Sequence, residues 1–309
     1  MPIRGAAPAM AVWHAALAVV LTGVCMPASA WGDEGHRIIA TIAYGRLEPA
    51  VRKAVDVLLA ADTDPLTARD FVSRSTWADR WRDLDRNTTK KQYNATRHWH
   101  FADIELDGGS LAQACQDHPP LPEHTLASAG PAQACVVDKI DQFTAELRDP
   151  ATTKAERRKA LEFVIHFVGD VHQPLHTADH KDGGGNGVPV IYGNLKSPDT
   201  LHAYWDRHLV ERLGRDPAKA AVALARSITR EQLRRWSTGS TADWAEESHQ
   251  SAKSVAYDFS DEASFVDDHG GEGLRLDAAY EARALPVVRE QLSKAGVRLA
   301  ALLNTALKR

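Results

Sequence analysis

The chain has 309 residues, and its 37 lysines and arginines against 41 aspartates and glutamates give a formal net charge of −4. The length suits one large domain with a sizeable core. The mildly acidic balance argues against a broad basic surface for polyanions, so a phosphate ligand would need another source of positive charge, and metal ions are the obvious candidates.

The first thirty residues have the pattern of a secretory signal peptide. Arg4 is the only charged residue before Asp33, a run rich in Ala, Val and Leu follows it, and segment 27–30 ends in small residues at cleavage-site spacing. The apolar run is too short to span a membrane. We therefore predict that residues 1–30 are removed, that the mature protein is one domain over residues 31–309, and that it is secreted or periplasmic without stable membrane association.

Apolar residues recur at helical spacing through most of the mature chain. The pattern predicts helices over 36–47, limited by Pro49, over 161–168, from a cap-and-proline start at Asp216 and Pro217, and over 299–307. The best strand candidate is 188–192. Two long segments rich in Gly and Pro, 104–135 and 181–200, are predicted to be functional loops. The predicted fold class is all-α, a single compact helical domain with long functional loops.

Two of the three cysteines remain after signal removal. Cys25 leaves with the signal, whereas Cys115 and Cys135 form an even pair in an exported chain. A disulfide is the natural interpretation of that pair, and two free thiols are the alternative.

The most informative polar pattern is a repeated His/Asp spacing. His166 and Asp170 lie four residues apart on a predicted helix and share a face, His176 follows, and His202 and Asp206 repeat the spacing. One such pair is more often an ordinary hydrogen bond or a helix-end contact. Two pairs and a further histidine within a short stretch indicate zinc, because imidazole and carboxylate are its usual ligands where cysteine is absent.

The N-terminal half holds three weaker patterns. Segment 31–36 puts Trp31, an acidic pair and His36 directly after the predicted cleavage site, segment 76–82 places an acid and an arginine one turn apart, and segment 97–103 sets histidines beside an aromatic ring and an acid. Taken singly, Trp77, Trp81 and Phe101 are more often core residues than recognition surface.

Together these motifs resemble the trinuclear-zinc, single-strand-specific type I nucleases, the S-one/P-one nuclease family. The resemblance runs in order over essentially the whole mature chain. Six segments carry it: W-G-x-x-G-H at 31–36, W-A-D-x-x-R at 77–82, H-F-x-D at 100–103, H-F-x-G-D-x-x-Q-P-L-H at 166–176, G-G-N at 184–186 and L-H-x-x-W-D at 201–206. It implies an architecture related to zinc phospholipase C.

The resemblance implies that nine residues hold three zinc ions, with Asp170 bridging two of them. The first, buried ion would have four ligands: Asp79, His100, His166 and Asp170. The second would be bound by the amino nitrogen and carbonyl oxygen of Trp31, by His36 and by Asp170. The third, more open ion would be bound by His176, His202 and Asp206. A free α-amino group titrates at about pH 7.7–8.0, so zinc can displace its proton once the signal is removed.

The resemblance also implies the substrate contacts. Arg82 would stabilise charge on the phosphate, with Asp79 and Asp170 as the other catalytic residues. Phe101 would stack on a base, Asp103 would hydrogen-bond it, and Asn186 of the G-G-N segment would complete the substrate site. Thr200 stands where the family usually has asparagine. The remaining histidines that match no ligand position are interpreted as bystanders: His98, His172 and His180.

The expected activity is metal-assisted hydrolysis of single-stranded DNA and RNA to 5′-phosphorylated nucleotides, with 3′-nucleotidase activity and no obligatory protein partner. Three divalent ions would explain how an acidic protein binds a polyanion. Two alternatives are a zinc phospholipase C acting on lipid head groups and a non-catalytic zinc protein. Phe101 and Asp103 favour a base over a head group, and Arg82 beside a zinc cluster favours a visiting anion.

Overall fold

The computed structural model describes residues 31–195, 197–259, 264–266 and 272–308. The predicted signal peptide, residues 1–30, lies outside the described residues. The described helices are α1 Gly32–Tyr44, α2 Pro49–Ala60, α3 Phe71–Arg74, α4 Trp77–Asp83, α5 Lys91–Thr96, α6 Leu111–Ala114, α7 Val136–Arg148, α8 Lys154–Asp170, α9 Leu201–Ala203, α10 Leu209–Glu211, α11 Pro217–Ser227, α12 Arg230–Trp236, α13 Thr241–Ser251 and α14 Ala278–Ala306.

Shorter helical pieces join or extend these helices. Three are 3-10 turns: Arg97–His100, Ala127–Ala129 and Pro174–His176. Two are π-helical: Tyr204–His208, which joins α9 to α10, and Ala252–Ala256, which extends α13. The all-α fold class predicted from the sequence is confirmed.

Helix α8 lies at the centre of the helical core. Every residue from 160 to 170 on it is buried, and it packs against α7, α1, α4 and α14. Phe163 stacks on Phe143 with ring centroids 4.5 Å apart and on Phe167 at 5.1 Å. Because burying each such ring stabilises the fold by about 1.5–3 kcal/mol, this packing fixes the helix that carries His166 and Asp170.

A glycine allows helices α1 and α14 to pack closely. A Cβ added at Gly296 would lie 2.6 Å from the Cβ of Ile42, so only glycine permits the two backbones to approach this far. The apolar stripe 299–307 predicted at the chain end lies within or directly after α14. The first predicted helix is shorter than expected: α1 ends at Tyr44, and Pro49 begins α2 instead of merely limiting α1.

Side-chain caps begin several helices as the sequence predicts. Asp216 accepts hydrogen bonds from the backbone N–H groups of Ala218 and Lys219, with Pro217 at the first helical position of α11. Thr153 caps α8 through the backbone N–H of Glu156. These caps satisfy donors that a helix start otherwise leaves without partners.

A small sheet accompanies the helices. Its strands are β1 Pro189–Ile191, β2 Asp199–Thr200, β3 Ser264–Val266 and β4 Glu272–Arg275, in the order β2-β1-β4-β3. Strand β1 pairs antiparallel with β2 and parallel with β4, and β3 pairs antiparallel with β4. The predicted strand 188–192 is therefore confirmed, while the sequence did not indicate the other three.

The two long segments predicted as loops are partly ordered. Segment 104–135 contains α6 and the 3-10 turn Ala127–Ala129, and the predicted disulfide between Cys115 and Cys135 is present. Segment 181–200 contains β1 and β2. None of the helices in the described ranges is long and apolar enough to cross a membrane.

Replacing both Cys115 and Cys135 by serine should lower the free energy of unfolding by about 3 kcal/mol, because the disulfide closes a loop with a sequence separation of 20. Urea denaturation followed by circular dichroism measures this change. The two variant proteins with a single serine serve as controls for the removal of each sulfur. A double variant as stable as the wild type would show that the disulfide does not stabilise the fold by reducing the conformational entropy of the unfolded chain.

Candidate metal centre and cleft

Five residues from four elements meet at the C-terminal end of α8. His166 and Asp170 lie one turn apart on α8, His36 comes from α1, Asp79 from α4 and His100 from the 3-10 turn Arg97–His100. All five side chains are buried. The helical spacing predicted for His166 and Asp170 therefore places both groups in one shared site.

Four of these side chains form an inner cluster. Asp170 Oδ2 lies 2.8 Å from His100 Nδ1 and 3.3 Å from His166 Nε2. Asp79 Oδ1 lies 3.6 Å from His100 Nδ1 and 3.5 Å from His166 Nε2. Two imidazole nitrogens and two carboxylate oxygens thus lie close together in one buried cluster. Both the kinds of ligand atom and their short separations suit a metal ion.

The second oxygen of Asp170 faces a different imidazole. Oδ1 lies 3.3 Å from His36 Nε2, and the His36 ring stacks on the His166 ring at 3.9 Å with an interplanar angle of 12°. Asp170 therefore presents one oxygen to each of two neighbouring positions. Trp31 is fully buried directly before α1, and a Cβ on Gly32 would lie 3.2 Å from the backbone oxygen of Asp206.

Gly169 gives His36 the room for this position. A Cβ added at Gly169 would lie 2.7 Å from His36 Nδ1 and 2.9 Å from its Cε1. The glycine of the H-F-x-G-D segment is thus explained by contact with an imidazole from another helix.

His176, His202 and Asp206 form a third group. Asp206 Oδ2 lies 3.2 Å from His202 Nε2, and the rings of His176 and His202 are 5.0 Å apart between centroids. His202 lies in α9, and Asp206 lies in the π-helical segment Tyr204–His208. Such segments often occur at functional sites.

Backbone carbonyl groups orient three of the histidines. Nδ1 of His166 lies 2.7 Å from the oxygen of Ser75, Nδ1 of His176 lies 2.9 Å from that of His100, and Nδ1 of His202 lies 2.6 Å from that of Gly184. When Nδ1 donates to the carbonyl, Nε2 is left as the ligand atom, which is the usual arrangement around a bound metal.

The glycine loop and Gln173 are positioning features that sequence reasoning did not assign. Gly184 has φ +62° and no room for a Cβ beside the oxygen of Leu175, so glycine is required where the carbonyl turns to His202. Gln173 donates a hydrogen bond from Nε2 to Asp206 Oδ1. In the sequence, the place of Gln173 in the Q-P-L-H segment is the feature that indicates a role for it.

The unpaired polar atoms of the site fit metal ions. Buried polar atoms are nearly always hydrogen-bonded, yet several in this site have no partner among the described residues. These atoms are Nδ1 and Nε2 of His36, Nε2 of His100, His176 and His202, Oδ1 of Asp170 and Oδ2 of Asp206. Most of them face another ligand-type atom across a gap that a metal ion would bridge.

Positively charged side chains of the polypeptide keep the two carboxylates ionised. Burial opposes ionisation of Asp79 and Asp170, but nearby positive charge more than offsets it and holds the pKa of both carboxyl groups well below its usual range. Arg82 is the main source of that charge at Asp79, and His166 is the main source at Asp170. Burial lowers the pKa of His166 as well, but Asp170 and Asp79 raise it to about 10. Burial lowers the pKa of His176 to about 4, which leaves that imidazole neutral at pH 7.

Arg82 lies between the inner cluster and an open cleft. Its Nη1 donates to Asp79 Oδ1 at 2.6 Å, and its Nε and Nη2 donate to the two oxygens of Asp83 at 2.8 and 3.0 Å. It is buried, and it also lines the cleft. Two carboxylates therefore fix a guanidinium whose position allows it to meet an anion entering the cleft.

The cleft has a volume of about 840 Å³ and brings the three predicted substrate contacts together. Phe101 is half-buried, and its ring centroid lies 4.4 Å from that of His176. Asp103 is exposed on the cleft surface, and desolvation by the surrounding protein, with help from Asp179, raises its pKa to about 6. Asn186 lines the cleft and donates to the oxygen of Gly183 in its own loop.

The cleft also contains positive charge that the net charge of the chain conceals. Arg86, Arg97 and Arg207 line it together with Arg82. These arginines therefore add a local source of positive charge to the metal ions and Arg82 that the sequence predicts for a phosphate. In the sequence, these arginines cluster around the W-A-D and H-F-x-D segments. The net charge of the whole chain does not reveal this local excess of positive charge.

The three histidines predicted to be bystanders have three different surroundings. His98 lines the cleft without joining a ligand group. His172 is buried, with Nδ1 2.7 Å from the oxygen of Val168 and Nε2 3.0 Å from Arg298 Nη1. His180 is exposed and lies 3.7 Å from Asp107.

The amino-acid sequence of this chain is similar to those of known nucleases. A sequence model of the family described as S1/P1 Nuclease matches residues 31–308. Endonuclease 2 of Arabidopsis thaliana is 31% identical over 293 residues, which cover 89% of this chain and 89% of that protein. Nuclease S1 of Aspergillus oryzae is 26% identical over 296 residues, covering 89% and 91%. Nuclease P1 of Penicillium citrinum is 25% identical over 289 residues, covering 89% and 97%.

Gly169→Ala should weaken metal binding at the position that His36 faces by roughly 10- to 100-fold, because the new methyl group displaces that ring. Titration of the protein with a chelator, followed by metal analysis, measures the change. Gly45→Ala is the matched control, since a Cβ there meets its nearest atoms at an ordinary 3.6 Å. Unchanged metal content in Gly169→Ala under chelator would contradict the packing argument.

Proposed function

This chain belongs to the S1/P1 nuclease family, and on that premise we propose that it is a zinc-dependent hydrolase that cuts single-stranded DNA and RNA to 5′-phosphorylated nucleotides. We propose 3′-nucleotidase activity at the same centre. The observation that carries the proposal is the buried cluster in which both Asp79 and Asp170 lie close to His100 and His166, beside Arg82 and the cleft.

The proposed cofactor is three zinc ions. Asp79, His100, His166 and Asp170 would hold the first. His36, the second oxygen of Asp170 and the backbone of Trp31 would hold the second. His176, His202 and Asp206 would hold the third. The unpaired ligand atoms and the orientation of Nε2 in three of the histidines support this assignment. Bound zinc supplies Lewis acidity and lowers the pKa of water, which is the chemistry that phosphodiester hydrolysis requires.

The proposed role of Trp31 depends on signal removal. Its amino nitrogen becomes a ligand only when residues 1–30 are cleaved, and we propose that the protein is secreted or periplasmic. Two observations support this: Trp31 is buried next to the segment that holds Asp206, and the family match begins at residue 31.

The proposed role of the chain's own residues follows from their contacts. Asp79 and Asp83 hold the Arg82 guanidinium in place, so it can neutralise charge on the scissile phosphate without reorganising. Asp170 is held ionised and presents both oxygens inward, which fixes His36, His100 and His166 around it. These contacts thus hold Arg82 and the three histidines in position before the substrate binds.

The proposed recognition of single strands depends on Phe101. Its ring lines the cleft and already packs on His176, so a base that stacks there lies next to the third ligand group. A base in a duplex must first be unstacked, at a cost of a few kcal/mol, whereas a single strand offers its bases at much lower cost. Stacking on an aromatic side chain returns about 1–3 kcal/mol per base with little sequence preference.

Asp170→Asn should abolish most activity and reduce the metal content by more than one ion, because its two oxygens face two separate groups. The measurement is zinc analysis of the purified protein with an assay on single-stranded RNA, before and after chelation and zinc restoration. Asp107→Asn removes an exposed carboxylate outside the site and is the control. Full activity in the chelated enzyme, or cleavage of phosphatidylcholine in place of RNA, would overturn the proposed function.

Phe101→Ala should shrink the preference for single-stranded over double-stranded DNA of the same sequence by roughly 5- to 100-fold, the equivalent of removing about 1–3 kcal/mol of stacking. Parallel initial rates on the two forms at matched salt measure it, and zinc content should not change. Phe101→Trp keeps an aromatic face and should restore the preference. Equal rates of the wild-type enzyme on both forms would show that the site does not bind a base face.

A further inference from the structure

One wall of the cleft carries positively charged side chains in addition to Arg82. We call the residues Arg86, Tyr93 and Arg97 the cationic wall; all three line the cleft that contains Arg82 and Phe101. Arg86 follows α4, Tyr93 lies in α5, and Arg97 begins the 3-10 turn that ends in His100. The wall therefore lies in the chain segment between two of the metal-ligand candidates, Asp79 and His100.

Arg86 shares its carboxylate partner with another arginine. Its Nη1 lies 3.6 Å from Asp83 Oδ2, and both oxygens of Asp83 already accept hydrogen bonds from Arg82. The Arg86 guanidinium also lies over the Tyr93 ring, 5.0 Å from its centroid. The ring limits the directions in which the guanidinium can point, so less conformational freedom is given up when it binds an anion.

The second arginine of the wall, Arg97, is not paired with a carboxylate among the residues that the structure describes. It is exposed and forms no ion pair with any residue in the described part of the chain. Arg207 on the cleft lining differs, since Asp199 lies 3.2 Å from it and compensates its charge. Arg86 and Arg97 thus leave excess positive charge at one side of the cleft, in a protein whose net charge is −4.

The surrounding structure holds this wall in place. Asp85 accepts hydrogen bonds from the backbone N–H groups of Gln92 and Tyr93 at 2.9 and 3.0 Å, which fixes the start of α5 against the end of α4. Gln92 donates to the backbone oxygen of Trp81. Tyr93 and Arg86 are therefore positioned by the fold and do not depend on a ligand for their arrangement.

We propose that the cationic wall binds a backbone phosphate of the nucleic acid strand beyond the scissile phosphate, so that it selects strands over single nucleotides. Guanidinium groups form charge-assisted hydrogen bonds with phosphate oxygens, and such bonds release counterions from the strand. Arg86 and Arg97 contact the phosphate, and Tyr93 is a positioning residue for Arg86. This inference rests on the proposed function, because it extends the substrate site that Arg82 and Phe101 define.

The test compares an eight-nucleotide strand with a 3′-nucleotide, using the zinc-loaded full-length mature enzyme. Removing both charges with Arg86→Gln and Arg97→Gln should lower kcat/KM for the octamer about tenfold more than for the 3′-nucleotide, mainly through KM. The slope of log kcat/KM for the octamer against log salt should also fall by about 0.7 for each phosphate that the variant no longer binds. Arg226→Gln, an exposed arginine on α11 outside the cleft, is the matched control.

A chemical substitution in the strand provides an independent measurement. Octamers that carry one uncharged methylphosphonate, placed in turn at each position away from the cleaved bond, should contain one position that raises KM for the wild type. The same strand should not raise KM further in the double arginine variant, since that variant no longer has the guanidinium groups that bind the phosphate.

The outcomes separate the two proposals. Equal decreases in kcat/KM on octamer and 3′-nucleotide, an unchanged salt slope, or additive effects of methylphosphonate and arginine removal would overturn the cationic wall while leaving the proposed function intact. A wild-type enzyme that, loaded with zinc, cleaves neither substrate would overturn the proposed function and the cationic wall with it.

Discussion

The carboxylate of Asp170 is fully buried among three imidazoles, and the rest of the site is arranged around that burial. An ionised carboxylate removed from water costs several kcal/mol unless charged or hydrogen-bonding partners surround it. Those partners come from α1, α8 and the turn before Phe101, so the elements must dock together for the charge to be tolerated. Docking of these elements therefore also brings the residues of the site together.

The short turns between the helices determine where the imidazoles point. Carbonyl groups of Ser75, His100 and Gly184 each lie within hydrogen-bond distance of one histidine ring. The long helices bring the ligand-type residues near each other, but the turns set which ring nitrogen faces inward. This division explains why the segments around the ligands contain glycine and proline at positions that a regular helix could not use.

The sequence predicted the helical class, the strand at 188–192, the disulfide and the set of residues that meet in the site. Helical spacing succeeds for α8 because both His166 and Asp170 lie on one regular helix. The π-helical segment around Asp206 and the remaining strands could not be predicted, since two to four residues show no period and β1 pairs with β4 far along the chain. Arg97 could not be singled out from the sequence, because its lack of a carboxylate partner among the described residues is visible only in the fold.

The glycine-rich loop resembles a phosphate-binding loop in composition, but its hydrogen bonds give it another role. Asp179 accepts from the backbone N–H groups of residues 182–184, and Asp182 accepts from that of Gly185. These backbone N–H groups thus already donate hydrogen bonds within the loop and cannot also donate them to a bound anion. The side chains of Arg82 and Arg97, which also line the cleft, are the groups that would contact an anion there. Side chains can be exchanged one at a time, so strand preference can diverge between related proteins while the backbone around the ligands stays the same.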